Sequence, residues 1–321
     1  MTPDSEPIVR KHTIPTPFVV GDVHLYTAQL EGELVLFDTG PATPEALDLL
    51  RRRIDLERLK HVFVTHCHVE HYGLAKYLAE STRAEIYFPR LDAIKIRHHE
   101  RRIDHIHELL LGYGFSDGFI RNVRESVDRR GLFPPAPDRY RVVEESETPE
   151  RLGIAWMSCP GHSQSDLVYR VGEWAVTGDI LLENIFQAPL LDVDLETFSG
   201  RFRNYDAYCE SLLKLKCLRG QRILPGHREE SDRFEETVHF YVAKLIERAG
   251  RIKAFEDVEA VSEVIDRLFG DTLFDPFAVY IKASEVIFMR DFLADPGRLQ
   301  RVLEEIGLLP RVREALAAVA A

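Results

Sequence analysis

The run Thr65-His66-Cys67-His68-Val69-Glu70-His71 constrains this chain more than any other stretch. Three imidazoles and a carboxylate fall within positions 66–71, directly after the apolar segment Val62-Phe63-Val64. A solvated loop has no reason to concentrate histidines at alternate positions, so this reads as a strand delivering its C-terminal end into a polar cluster. Imidazole and carboxylate together suit a borderline or hard divalent metal: zinc, manganese or iron. Side chains alternate in direction along extended chain, so Cys67 should point away from His66 and His68 and serve as a small buried thiol.

At 321 residues and 45% hydrophobic content, the chain can bury a core without disulfide staples. Its formal charge of −12 gives no counterion-release advantage on nucleic acid unless a local basic patch exists. The arginine clusters at 51–53, 101–102 and 129–130 have acidic residues close by and read as solvated helix faces. Cys67, Cys159, Cys209 and Cys217 form no Cys-x-x-Cys pair. The polar opening Met1-Thr-Pro-Asp-Ser-Glu-Pro does not resemble a secretory signal, and no apolar run approaches the roughly 20 residues of a membrane span. The expectation is a soluble, cytoplasmic protein with reduced thiols, bound to neither nucleic acid nor membrane.

Residues 17–40 read as a strand meander. Phe18-Val19-Val20, His24 to Leu30 and Leu34 to Phe37 are its strands, with Glu31-Gly32-Glu33 as a hairpin connection. Thr43 and Pro44 signal a helix start. Strands follow at Val62–Thr65 and Ala84–Phe88, with a helix at Gly73–Ala79 between them, which implies an α/β layered core. Residues 90–135 change character and predict a helical insertion, with helices at Leu91–Leu111 and Ser116–Arg130. Its His98, His99, His105 and His107 sit on a polar stretch and read as exposed. Strands resume at Ile154–Met157, Leu167–Val171 and Ala175–Thr177. Residues 231–321 predict a helical extension packed on a domain spanning 1–230, with breaks near Gly250, Gly270 and Pro296.

Three later features match the first in kind. Cys159-Pro-Gly-His162, Val176-Thr-Gly-Asp179 and Leu224-Pro-Gly-His227 each place a histidine or carboxylate at a strand end. Together with Asp38-Thr-Gly and the His66–His71 run, this ordered set resembles the metallo-β-lactamase superfamily from about residue 14 to about residue 230. The resemblance implies an αββα sandwich of two mixed β-sheets with outer helices, and a metal site at one edge. It further implies that His66, His68 and His162 hold one ion, that Glu70, His71 and His227 hold a second, and that Asp179 bridges them. Two zinc ions are the expectation, with iron or manganese as alternatives. Asp38 is expected to orient a ligand. The family run ends Asp-His, whereas this one ends Glu70-His71. Glutamate reaches roughly a bond length further, so it ligates if the loop shifts, or else acts as a general base. On this reading Glu70→Asp should hold the second ion at least as well.

The style of these motifs is similar to that of glyoxalase II-like and lactonase-like hydrolases, which cleave thioesters, lactones or related esters by metal-bound hydroxide. Glu70 and Asp179 are then the catalytic candidates, and the partner is a small acyl molecule; a homodimer is compatible with this reading. Phe115, Phe119, Leu132 and Phe133, together with Tyr72, Phe186, Tyr205 and Tyr208, are candidate pocket walls. Thr-His-Cys-His is also similar to the start of the motif in mononuclear-iron persulfide dioxygenases. A third reading is a low-turnover binding or regulatory protein on the hydrolase scaffold.

Overall fold

The computed structural model describes residues 8–320 apart from 17 and 19. The polar opening at 1–7 and Val19 therefore lie outside the described residues. The chain begins with β1 (Val9–Ile14), an edge strand that the sequence reading missed because its polar residues mask it. β1 pairs antiparallel with β2 (Val23–Leu30), and β2 antiparallel with β3 (Glu33–Phe37). Glu31 and Gly32 both take positive φ, 50° and 80°, as a tight hairpin between twisted strands requires. Phe18 and Val20, expected in a strand, lie in the bend and turn between β1 and β2.

The first sheet continues in parallel through β4 (Leu59–Phe63), β5 (Glu85–Phe88) and the short β6 (Arg141–Val142). Parallel neighbours need crossovers. α1 (Pro44–Arg53) supplies the first, with the Thr43 hydroxyl capping Ala46 N and Pro44 opening the helix. α2 (Val69–Tyr72) and α3 (Ala75–Ser81) supply the second. The third holds α4 (Arg90–Arg97), α5 (His99–Gly112) and α6 (Asp117–Arg129). The helix expected over 91–111 is thus two helices that change direction at His98.

After α7 (Thr148–Arg151), the second sheet uses β7 (Ala155–Ser158), β8 (Leu167–Val171), β9 (Trp174–Gly178) and β10 (Arg222–Pro225), in the order β10-β9-β8-β7. α8 (Asn204–Leu215) connects β9 to β10. Five helices follow: α9 (Phe234–Lys253), α10 (Val261–Phe269), α11 (Pro276–Ala294), α12 (Pro296–Glu305) and α13 (Arg313–Ala320). Gly250 does not break α9, because its neighbours Ala249 and Ile252 are buried against the rest of the tail. Gly270 and Pro296 do mark helix boundaries.

Alternation along the strands divides the core. Tyr26, Ala28, Val35, Phe37, Phe63 and Tyr87 face the second sheet, where they meet Tyr169, Val176 and Leu224. Leu25, Leu36, Val62 and Ile86 point the other way, onto α1 and α3. The outer face of the second sheet shares one apolar cluster with α8, α9 and α11, and the same cluster takes in Ile106 and Leu110 of α5 and Ile120 and Val123 of α6. The result is an αββα sandwich. Between its sheets Phe63 and Tyr87 stack at 4.5 Å, and both are fully buried; truncating such a ring costs about 3–5 kcal/mol.

Among the described residues, no helix is long and apolar enough to cross a membrane. Arg102, expected on a solvated face, is instead buried, because its guanidinium pairs with Asp192 at 2.8 Å and so has a partner inside.

Candidate metal centre

β3 and β4 point the same way in the first sheet, and β7, β9 and β10 point the same way in the second. Asp38, the His66–His71 run, Asp179, His227 and His162 each follow the C-terminal end of one of them. These strand ends meet at one edge, where the donor atoms gather. Tyr169 OH donates to Val64 O at 2.7 Å and Leu167 N to Thr65 O at 3.0 Å, which fixes the two sheet ends against each other.

The convergence is close. His66 Nε2 lies 3.0 Å from His68 Nδ1, and His162 Nε2 lies 3.0 Å from the same atom. His71 Nε2 stands 3.4 Å from Asp179 Oδ1, and His227 Nε2 stands 3.6 Å from Asp179 Oδ2. His66, His68 and His162 form one group of donor atoms; Glu70, His71, Asp179 and His227 form another, with the atoms of each group all within 4.8 Å of one another. His98, His99, His105 and His107 join neither group: His107 pairs with Asp117 at 2.9 Å and His105 with Glu108 at 3.5 Å.

Partners behind the rings set which nitrogen carries the proton. His162 Nδ1–H donates to Ala188 O at 3.0 Å, and His227 Nδ1–H donates to Asp22 O at 2.6 Å. His71 Nδ1–H donates to Asp38 Oδ2 at 2.8 Å. The Thr65 hydroxyl donates to Asp38 Oδ2 at 2.9 Å, so its oxygen accepts from His66 Nδ1–H at 3.1 Å. With Nδ1 carrying the proton, each of these four rings leaves Nε2 as the atom turned inward, free to offer its lone pair to a metal. His71 Nε2, His227 Nε2 and Asp179 Oδ1 are buried without a hydrogen-bond partner among the described residues. Imidazole nitrogens and carboxylate oxygens gathered this closely are the donor set of a divalent cation, which would satisfy them all at once.

The electrostatics agree. Burial, reinforced by neighbouring imidazoles, holds His66 and His68 well below the ordinary 6.5, and burial lowers His162. All three are neutral at pH 7, as ligands must be. Burial opposes charge on His71, but the carboxylates of Asp179 and Asp38 outweigh it and raise its pKa well above 6.5. Burial likewise opposes ionisation of Asp179, but His227 and His71 overcome it and hold the carboxyl well below its usual range. Glu70 is raised, by burial first and by the Asp179 charge in addition.

Backbone support comes from residues the motifs did not reveal. Asp92 of α4 accepts Cys67 N at 2.7 Å, and Lys95 donates to Cys67 O at 3.0 Å, so one helix grips the peptide between His66 and His68. Cys67 is a buried free thiol, as its alternation predicts. Asp38 accepts Thr65 N at 2.7 Å as well as His71, so the expected orienting carboxylate holds two parts of the run. His24 donates its backbone N–H to Gly226 O at 2.7 Å and pairs through Nε2 with Arg228 O at 2.6 Å, fixing the His227 turn from both sides. Of the suggested walls, Leu132, Phe133 and Phe186 line the adjoining cavity. Phe115 and Phe119 instead stack on each other at 4.9 Å, Tyr72 OH donates to Pro134 O, and Tyr205 and Tyr208 lie within the outer core.

Comparison with known proteins places this arrangement. The chain is 27% identical over 230 residues to a probable metallo-hydrolase, YqjP, of Bacillus subtilis (strain 168), covering 67% of this chain and 70% of that protein. Its fold is similar to that of a metallo-beta-lactamase family protein from Thermus thermophilus, with a TM-score of 0.70 at 18% identity over 90% of this chain and 94% of that one. A beta-lactamase domain protein from Burkholderia ambifaria gives a TM-score of 0.69 at 19% identity over 90% of this chain and 87% of that one. The family model described as metallo-beta-lactamase superfamily matches residues 17–227, a span that includes every side chain of both donor groups, and the chain belongs to that superfamily.

Proposed function

We propose that this protein is a metal-dependent hydrolase of an acyl-type bond: a thioester, lactone or related ester. The observation that carries the reading is the pair of adjoining donor groups, one of three histidines and one mixing histidine with carboxylate, at the mouth of a cavity. His66, His68 and His162 would hold one ion; Glu70, His71 and His227 would hold a second, with Asp179 between them. Zinc suits this nitrogen-rich set, and iron or manganese also fits the carboxylates. When bound, the metal would supply Lewis acidity to the scissile carbonyl and lower the pKa of an attacking water.

The chain's own groups do the rest. Asp38 and the carbonyls of Ala188 and Asp22 keep the ring lone pairs aimed inward. Glu70 and Asp179 both line the cavity as well as the centre. Glu70 lies at both the donor group and the cavity, so a carboxylate oxygen it does not give to the metal would be placed to take a proton from water. The relative named a probable metallo-hydrolase supports hydrolysis over oxygen chemistry. A small acyl substrate, free of nucleic acid, fits the charge of −12.

A panel of thioesters, lactones and simple esters, assayed with zinc, manganese or iron after chelation, tests the reading. Turnover that disappears with chelator and returns with metal supports it. Turnover that persists without metal, or oxygen consumption on persulfide with one iron per chain, would replace it.

A further inference from the structure

A cavity of about 1180 Å³ opens from the donor groups. His68, Glu70, His162 and Asp179 form its polar end. Its remaining wall is largely hydrocarbon. Ile103 of α5, Val127 of α6, and Ala278 and Ile281 of α11 line it, with Phe133 and Leu190 from connecting segments. All six are only half-buried, in a region where neighbouring side chains of the same helices are fully packed. They keep apolar surface that a guest could cover.

The arginines and lysines around this cavity are committed to partners. Arg124 pairs with Glu100 at 2.9 Å, Arg130 with Asp275 at 2.9 Å, and Arg121 with Asp117. Arg102 is paired with Asp192, and Lys95 donates to Cys67 O. Every arginine and lysine lining the cavity thus makes at least one polar contact, and the one guanidinium nitrogen among them that is buried without a partner, Arg102 Nη1, is closed off from the cavity space. The pairs also bridge α5 to α6 and α6 to the start of α11, so they close the walls around the apolar space.

We propose, resting on the acyl-hydrolase reading, that the substrate's acyl part is a long uncharged hydrocarbon chain lying between α5, α6 and α11, with its carbonyl at the donor groups. In the reaction the bond from the carbonyl carbon to the leaving oxygen or sulfur breaks. Water's oxygen joins that carbon, one of its protons passes to the leaving group and the other to solvent, and the chain departs as a carboxylate. Specificity then comes from buried methylenes rather than from a charged anchor, and shape alone sets the longest chain that fits.

Two measurements test this. The first is kcat/KM of the metal-loaded protein on p-nitrophenyl esters from acetyl to dodecanoyl. The second is calorimetric affinity of the metal-free protein for methyl n-alkyl ketones, neutral acyl mimics that cannot be hydrolysed. Both should rise about two- to fourfold per added methylene until the far wall is reached. Ala278→Phe and Val127→Trp, which fill the cavity, should each move the optimum to shorter chains and cut the long-to-short ratio at least about tenfold. Ketone affinity that is flat or falls with length, or a chain-length profile unmoved in both variants, overturns the proposal. Ketone affinity that rises without turnover of any ester would remove the hydrolase reading and leave the apolar chain site standing. Ester turnover with flat ketone affinity would remove the chain site alone.

Discussion

Asp38 Oδ2 lies 2.8 Å from His71 Nδ1, and both side chains are buried. The carboxylate accepts three donors in all, the others being Thr65 N and the Thr65 hydroxyl. An amide at position 38 can accept with one atom only, so a donor would meet an NH₂. Asp38 also sits at φ 60°, which asparagine tolerates. Asp38→Asn should therefore fold while losing about 10–100-fold in affinity for the ion held by the Glu70 group. Metal titration of the purified variant checks this; unchanged affinity would remove Asp38 from the centre.

Glu70 turns one expectation around. From sequence, the shorter aspartate at 70 should have served as well. In the structure the glutamate oxygen already falls within 4.8 Å of the His71, Asp179 and His227 donors. Shortening the side chain withdraws that oxygen by roughly a bond length. Glu70→Asp should lower occupancy of the second ion, read by elemental analysis after dialysis, and leave the three-histidine ion in place. Equal occupancy would return the site to the family pattern.

Gly226 brings the backbone directly against the donor atoms. A Cβ there would stand 2.6 Å from both Asp179 Oδ1 and His71 Cε1. Those atoms cannot retreat without leaving the donor group. Gly226→Ala should cut metal affinity at least about 100-fold, beyond what its change in Tm accounts for. Wild-type metal content in a folded variant would mean that the turn has more room than the geometry allows.

The metal-free protein should be sensitive to mild acid. His66, His68 and His162 have folded values below the ordinary 6.5, so the unfolded chain binds more protons than the native state below that pH. Their contribution is fully present above 6.5 and is lost as pH falls toward the folded values. His71, raised above 6.5 by Asp179 and Asp38, and Asp166, raised by burial to about 8, act in the opposite sense over this range, but burial also lowers His12, His24 and His99, which add to the first three. Tm of the metal-free protein should drop between pH 7 and about pH 5.5, with a shallower drop in His162→Gln. A flat profile in the wild type would mean that these rings are not buried neutral.

Much of this was legible in the chain because strand ends carry the chemistry. The ordered motifs around Asp38, His66, His162, Asp179 and His227 identify the sandwich without any pairing information. The hairpin at Glu31-Gly32 and the cap at Thr43 are local and read directly. β1 was invisible because an edge strand with exposed polar residues has no apolar alternation. The grip of Asp92 and Lys95 on Cys67, and the interior place of Arg102, depend on contacts 25 or more residues away, which spacing cannot show. The α11 wall of the cavity lies further still from the motifs it faces.

Metal content with anomalous scattering tests the central claim most directly. The account predicts two ions per chain, one against His66, His68 and His162 and the other against Glu70, His71 and His227, with Asp179 touching both. A protein that retains no ion at saturating zinc, manganese or iron, or binds one elsewhere, would contradict it.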